Sequence, residues 1–294
     1  MKTMYKLLLT LTFLFAAQTL MMAQNTEMEQ DMFENMRDGD KAVVVAVHTG
    51  ADDAATQQCI DRFNARLRQT YPNYAFKEAW TSHTTHRVPT PDELLSQLEK
   101  EGYTHVLVQS SHLIDNTEQQ YLSYLTDANK GRFKHLRLGK PLLSDPSDYE
   151  CAISIMNETY GKPKEVNVLV CNDTEGKTHP QYAMLDYALH DHGLKTWHVG
   201  TIDGYPSLGS LIKQLKAQKI KKVHLIPFMF ATDAQTTAYI TKDWVQQLQK
   251  AGYKVTANIH SLGELDAILD LFESHIRHAE KFRALTAKEL KMLK

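Results

Sequence analysis

The chain has 294 residues, enough for one large or two medium domains. Its 43% hydrophobic and 23% charged residues suit a globular protein with a sizeable core, not a disordered or fibrous chain. A formal net charge of −2, with no basic block and no aromatic residues interleaved among Lys and Arg, argues against nucleic acid as a partner.

The amino terminus reads as an export segment. Lys2 and Lys6 precede an apolar run over residues 7–17, too short for a comfortable membrane span, and Met21-Met-Ala-Gln24 follows. Cleavage is expected after Ala23, which makes residues 1–23 a signal peptide; an uncleaved anchor is the alternative. No cysteine closes the run, so a lipid-attached terminus is not written here. Residues 24–40 are polar and acidic without a strand pattern and read as a flexible leader. The expected destination is the periplasm or the outer membrane.

Lys41 to Val47 is a continuous apolar strand of the kind buried on both faces of a parallel sheet, and it ends at His48-Thr-Gly50. Asp52 or Asp53 starts a helix to about Thr70, with Ile60, Phe63 and Leu67 on one face. Tyr74 to Trp80 is a second strand, followed by a polar loop that holds Ser82 and His83. Thr90-Pro-Asp-Glu93 matches a capping box and opens a helix to Glu101. A third strand over 104–110 ends at Ser111-His112. Then come a helix over 117–129, a short strand about Leu136, a helix over 147–160 and a linker at 161–164.

After the linker the pattern restarts. Val166 to Val170 is a strand that ends in Cys171-Asn-Asp-Thr174, and 181–190 is a helix. His198 to Ile202 is a strand that breaks at Asp203-Gly204. It resumes as a helix with Pro206 in its first turn and Leu208, Leu211, Ile212 and Leu215 at helical spacing. A strand at 222–230, a helix at 236–251, a strand at 254–259 and a closing helix from Leu265 to about Leu285 complete the chain. Residues 103–115 and 221–233 fall into register.

Strands alternating with helices imply parallel sheets. The expectation is an α/β protein of two similar lobes, 41–163 and 164–294, each a parallel sheet flanked by helices. Right-handed crossovers gather strand carboxyl ends on one edge of each sheet. The cleft between those edges would be lined by His48, Ser82, His83, His112, Asn172, Asp203 and Asp233.

Of the 14 histidines, no pair has tight zinc spacing. His275 and His278, one helical turn apart, read as a solvated helix face, and His190 and His192 as surface residues near a helix end. His48 and His112 stand apart because each directly follows an apolar strand. Each is either a structural histidine or a neutral imidazole ligand for a metal or a haem iron. Asp203 has the same two faces: it caps a helix, or it is presented at the sheet edge. Cys59, Cys151 and Cys171 show no metal spacing and read as small buried apolar residues. Nucleotide-binding and serine-hydrolase motifs are absent from the sequence.

The run from Lys41 to about His278 resembles the class II tetrapyrrole chelatases, specifically the anaerobic sirohydrochlorin cobaltochelatases. The resemblance rests on Val88-Pro-Thr-Pro-Asp-Glu-Leu-Leu95, Glu101-Gly-Tyr-Thr-His-Val-Leu-Val-Gln109 with His112, Arg137-Leu-Gly-Lys-Pro-Leu-Leu143 and Val199-Gly-Thr-Ile-Asp-Gly-Tyr-Pro-Ser-Leu208. Lys221-Lys-Val-His-Leu-Ile-Pro227, Ala251-Gly-Tyr-Lys-Val-Thr256 and Leu262-Gly-Glu264 agree as well. It implies two α/β lobes with a tetrapyrrole in the cleft between them.

The family's metal site resembles two histidines and a glutamate at the ends of second-lobe strands. Its Gly-His-Gly-Thr-Glu-His-Pro block meets Cys171-Asn-Asp-Thr-Glu175 here, with His179-Pro180 displaced by a short insertion. The glutamate falls on Asp203, and the second histidine falls at Ala234 or its neighbour, where none remains.

Those departures shape the functional expectation. The chain resembles the exported chelatase-like haem-binding components of bacterial iron-transport systems, which implies a carrier of haem or another metallo-tetrapyrrole, with possible iron removal. The alternative is an active sirohydrochlorin cobaltochelatase that inserts Co2+ in anaerobic cobalamin synthesis. The residues expected to carry either are Asp203 and His112 as catalytic groups and His48, His112 and Asp203 as ligands for Co2+ or Fe2+. His48, Ser82, His83, His112, Tyr205 and Met229 are expected around the macrocycle. An outer-membrane haem or iron receptor and a homo-oligomer are the remaining expected partners.

Overall fold

The computed structural model describes residues 27–50, 52–81, 89–172, 179–217, 219–285 and 287–292. The expected signal peptide, Ser82 and His83 lie outside these residues. A short strand β1 (Glu27–Glu29) precedes the first lobe. The lobe runs β2 (Ala42–His48), α1 (Ala54–Thr70), β3 (Ala75–Trp80), α2 (Pro91–Lys100), β4 (His105–Ser110), α3 (Thr117–Asn129), β5 (His135–Leu138) and α4 (Pro146–Tyr160).

The second lobe repeats the plan with β6 (Val166–Asn172), α5 (Pro180–Asp191), β7 (Trp197–Ile202), α6 (Leu208–Lys216) and β8 (Lys222–Pro227). Next is α7, made of Ala234–Ala238, a π-helical stretch Tyr239–Trp244 and Val245–Lys250. It continues with β9 (Lys254–Ala257), α8 (Asp266–Lys281), β10 (Phe282–Ala284) and α9 (Ala287–Met292). Both main sheets are parallel and four-stranded, with equivalent orders β3-β2-β4-β5 and β7-β6-β8-β9. Among the described residues no helix is long and apolar enough to cross a membrane.

The unbroken valine runs make sense once burial is assigned strand by strand. In β2, Val43, Val45 and Val47 face an outer layer with Leu94, Leu95 and Leu98 of α2 and Leu122 and Leu125 of α3. Val44 and Ala46 point the other way, because successive strand side chains alternate. In β6, Val166, Val168 and Val170 pack likewise against Leu211 and Leu215 of α6 and Trp244 of α7. The inner faces of both sheets meet in one shared core. At its centre the rings of Phe63, Phe230 and Phe272 meet edge to face, with centroids 5.2–6.0 Å apart.

The last long helix does not stay with the half of the sequence that encodes it. α8 packs on β4, β5, α1 and α4, so the first lobe's sheet is covered from the carboxyl-terminal end of the chain. Arg62 donates to the Asp266 carboxylate at 2.9 Å, and Arg66 pairs with Asp270. Arg137 donates to the carbonyls of Ala279 (3.1 Å) and Glu280 (2.6 Å).

This placement corrects the reading of His275 as solvated. It is buried, with Nε2 3.0 Å from Asp148 Oδ1 and Nδ1 3.2 Å from the Lys140 carbonyl. Burial works against the Asp148 carboxylate. The hydrogen bond from His275 and the N–H groups of Ser144 and Asp145 outweigh it and hold the group below the ordinary carboxylate range. His278 is likewise engaged, 2.7 Å from Glu27 Oε2.

The expected leader departs from the reading too. Residues 27–40 are tied to α8: β1 pairs antiparallel with β10, and the N–H of Gln30 donates to the Lys281 carbonyl at 2.7 Å. Met32 is buried in the shared core, and Phe33 stacks on Tyr74 at 4.3 Å. A polar composition hid two apolar anchors, Met32 and Phe33. Cys59 and Cys171 are buried as expected, but Cys151 is exposed. Pro206 stands before α6 rather than in its first turn, because Ser207 supplies the cap through its hydroxyl to the Ser210 N–H at 3.2 Å.

Candidate functional site

The carboxyl ends of parallel strands share one edge, so the residues just past β2 and β4 are neighbours. α3 begins there. Asn116 caps it by accepting the Gln119 N–H at 2.9 Å, which sets Glu118 and Gln119 in the first helical turn beside the strand ends. Gln119 Oε1 then accepts two hydrogen bonds, from the Ser110 hydroxyl at 2.7 Å and from His112 Nδ1–H at 3.1 Å.

An amide oxygen can only accept, so His112 carries its proton on Nδ1 and a lone pair on Nε2. That Nε2 is buried without a hydrogen-bond partner, and it lies 3.5 Å from Glu118 Oε2. Glu118 is oriented in turn by the Thr49 hydroxyl, which donates to Oε1 at 3.1 Å. Burial pushes the His112 pKa down to about 4, only partly opposed by the Gln119 hydrogen bond, so the ring is neutral at pH 7.

The His112 nitrogen is buried and the Glu118 side chain half-buried, and a lone pair facing a carboxylate there is repelled unless a cation or a proton lies between them. One imidazole nitrogen and one carboxylate oxygen, each held by a hydrogen bond at its far side, form a donor pair suited to a divalent metal. Two protein ligands leave most of the coordination sphere open.

The other expected residues are dispersed. His48 is fully buried, with Nε2–H donating to Asn64 Oδ1 at 2.9 Å and Nδ1 3.2 Å from the Ser111 hydroxyl. Its ring packs against Phe63 and Trp80. The reading of His48 as a ligand is therefore corrected: both nitrogens serve the interior. Met229 is corrected as well, because it is buried in the outer core of the second lobe beside α6 and α7. Phe228 and Phe230 turn inward, and alternation sends Met229 outward.

Asp203 and Tyr205 are exposed in the loop after β7. That loop folds back, with the Pro206 carbonyl accepting from the Thr201 N–H at 2.7 Å, and Asp203 takes a positive φ of 56°. Asp203 makes no side-chain hydrogen bond or ion pair among the described residues, and it does not cap α6. Asn172 is half-buried, Asp233 caps α7 through the Thr236 N–H at 2.6 Å, and His179 is buried at the start of α5. Sequence reasoning missed Glu118 and Gln119. The signal was present as polar residues in the first turn of the helix that follows His112.

Gln119 also lines a cavity of about 730 Å³ along β5 and α8, together with Arg137, Lys140, His275 and Arg283. Its cations are already engaged: Lys140 with Asp145 at 3.0 Å, Arg283 with Glu289 at 2.7 Å and Arg137 with backbone carbonyls. The cavity offers volume without uncommitted charge from these groups.

Residues 41–281 match the family model described as Cobalt chelatase (CbiK). The chain belongs to the CbiK cobalt chelatase family. A sirohydrochlorin cobaltochelatase of Salmonella typhimurium is 28% identical over 200 residues, covering 65% of this chain and 75% of that protein. The sirohydrochlorin cobaltochelatase CbiKC of Nitratidesulfovibrio vulgaris is 25% identical over 258 residues, covering 81% and 90%. In fold, the chain is similar to SirB from Bacillus subtilis with Fe3+, with a TM-score of 0.60 at 16% identity over 82% of this chain and 96% of that one. It is also similar to CbiX of denitrifying bacteria, with a TM-score of 0.51 at 18% identity over 81% and 99%. The CbiK assignment and the paired parallel sheets agree with the resemblance read from the sequence blocks.

Proposed function

We propose that this chain is a metal-inserting chelatase that loads Co2+ into sirohydrochlorin or a closely related tetrapyrrole, with His112 and Glu118 holding the ion before transfer. The observation that carries the reading is the buried Nε2 lone pair of His112, 3.5 Å from the Glu118 carboxylate. Membership of the CbiK family over 41–281 and the two cobaltochelatase relatives support it.

Insertion exchanges charge in a fixed balance: one divalent ion enters the macrocycle and two pyrrole N–H protons leave. The His112–Glu118 pair suits that exchange because either species relieves its repulsion, the metal before transfer and a proton after it. Neutral His112 is a ligand at pH 7, and Glu118 is the group that accepts the first proton. The second proton passes to water, with Asp203, an exposed carboxylate at the second lobe's edge, in at most a minor role. Export remains part of the proposal on the strength of residues 1–23 alone, and would put the reaction outside the cytoplasm.

The comparisons favour this reading over haem carriage for iron uptake. Engagement of both His48 nitrogens also removes one of the two imidazoles, His48 and His112, that haem carriage was to use. The test is anaerobic incubation of purified protein with Co2+ and sirohydrochlorin, followed by absorbance, with a parallel haem titration. The expected result is cobalt-sirohydrochlorin formation well above the spontaneous rate. A saturable Soret band with haem, and no acceleration of metal insertion, would overturn the proposal.

A further inference from the structure

A different cluster of metal-compatible side chains lies on the second lobe, away from the carboxyl edge. Asp186 and His190 stand one helical turn apart on α5, on the same face of the helix. α5 packs along β7, and His198 is the second residue of that strand. The three residues offer a carboxylate oxygen and two imidazole nitrogens that all lie within 4.8 Å of one another.

The strand that carries His198 also orients the other two. Asp186 Oδ1 accepts the Val199 N–H at 2.7 Å, which leaves its second oxygen for another partner. His190 Nε2–H donates to the Trp197 carbonyl at 2.8 Å, which fixes the tautomer whose lone pair is on Nδ1. Backbone groups on either side of His198 thus play the part that carbonyls and amides play behind metal ligands. The rings of His190 and His198 are 5.1 Å apart and nearly perpendicular, so neither is stacked flat on the other. His198 is buried and His190 exposed, which gives the cluster a fixed floor and an open mouth.

We propose that Asp186, His190 and His198 form a second divalent-cation site with two nitrogen donors and one oxygen donor. The donor set selects borderline ions such as Zn2+, Co2+ or Ni2+ over Mg2+ and Ca2+, which take oxygen ligands. Three protein ligands and an exposed mouth leave a position for water or an incoming ligand. The site is separate from the chelation edge. His198 lies near the start of β7 and the strand's carboxyl end at Ile202 is four residues on, roughly 13 Å at the usual strand rise. Its occupancy would clip α5 to the edge strand of the second sheet.

The full chain, stripped of metal by a chelator, would be titrated with Co2+ under equilibrium dialysis and visible absorption. His190→Ala is the informative variant because an exposed side chain can be removed without opening the core. It should lose one equivalent of bound Co2+, or bind it about 10–100-fold more weakly. Asp186→Asn should weaken the same equivalent while keeping its shape. His112→Ala should retain that equivalent, which separates this site from the proposed chelation pair. Equal Co2+ stoichiometry and affinity in the wild type and His190→Ala would overturn the assignment. So would loss of the equivalent in His112→Ala alone.

Discussion

The two lobes share strand order, yet their carboxyl edges present different chemistry. Past β4 the chain reads Ser110-Ser-His112, and the imidazole is caught by the first turn of α3 through Gln119. At the equivalent place past β8 stands Met229, buried in the outer core of the second lobe beside α6 and α7. The backbone fixes this equivalence, because the Leu142 N–H donates to the His112 carbonyl at 3.0 Å as the Leu262 N–H donates to the Met229 carbonyl at 2.9 Å. One copy of the strand-turn-helix unit has a buried donor beside a carboxylate; the other gives the position to packing beneath its own outer helices. A duplicated fold can therefore divide its labour, with one edge for chemistry and one for cohesion.

The strongest way to break that comparison is to remove one group from each edge. His112→Ala should lower kcat for cobalt insertion about 10²–10⁴-fold, the range for loss of a positioned acid, base or ligand group. Asp203→Ala should cost less than about tenfold, because the side chain is exposed and makes no hydrogen bond or ion pair among the described residues. Initial rates at saturating Co2+ would show the gap. A larger loss in Asp203→Ala would move the chemistry to the second lobe.

Met229→His sharpens the same contrast. It places an imidazole at the position equivalent to His112, but inside the apolar outer core of the second lobe. The ring would lose apolar packing and bury a polar group without a prepared acceptor, costing about 3 kcal/mol in denaturant unfolding. It should not restore insertion when combined with His112→Ala. Rescue would mean that the edges are interchangeable, contrary to the division of labour argued above.

Much of this plan was readable in the sequence for a physical reason. Burial on both sheet faces produces unbroken apolar strands, and the repeated strand-turn-helix blocks set 103–115 on 221–233 to within one residue. The backbone hydrogen bonds place His112 against Met229; gapless matching of apolar runs cannot fix a one-residue slip. Asp53 and Thr90 announce their helices because capping chemistry is local. What stayed hidden was set by contacts distant in sequence. His275 looked solvated because its partner, Asp148, is 127 residues away. Residues 27–40 looked loose because α8 and β10, which hold them, lie near the other end of the chain. At the site, position after an apolar strand singled out both His48 and His112. It could not show that Asn64 and Ser111 occupy the nitrogens of one while Gln119 occupies a single nitrogen of the other.

That difference between the two histidines gives the smallest expected effect and the finest test. Asn64 sits on α1 with its side chain buried, and its Oδ1 accepts the His48 Nε2–H at 2.9 Å. Asn64→Leu keeps the volume but removes that acceptor. A buried donor deprived of its partner costs about 1–3 kcal/mol, so the unfolding midpoint should fall at unchanged m-value. Cobalt insertion should stay within about twofold, since His48 is assigned to holding β2 against α1 rather than to the metal. If His48 were instead a ligand, loosening its second nitrogen would disturb the ring's aim, and insertion would fall about 10–100-fold. A stability loss without a rate loss is thus the signature of a histidine that belongs to the core, and the converse would return His48 to the chemistry.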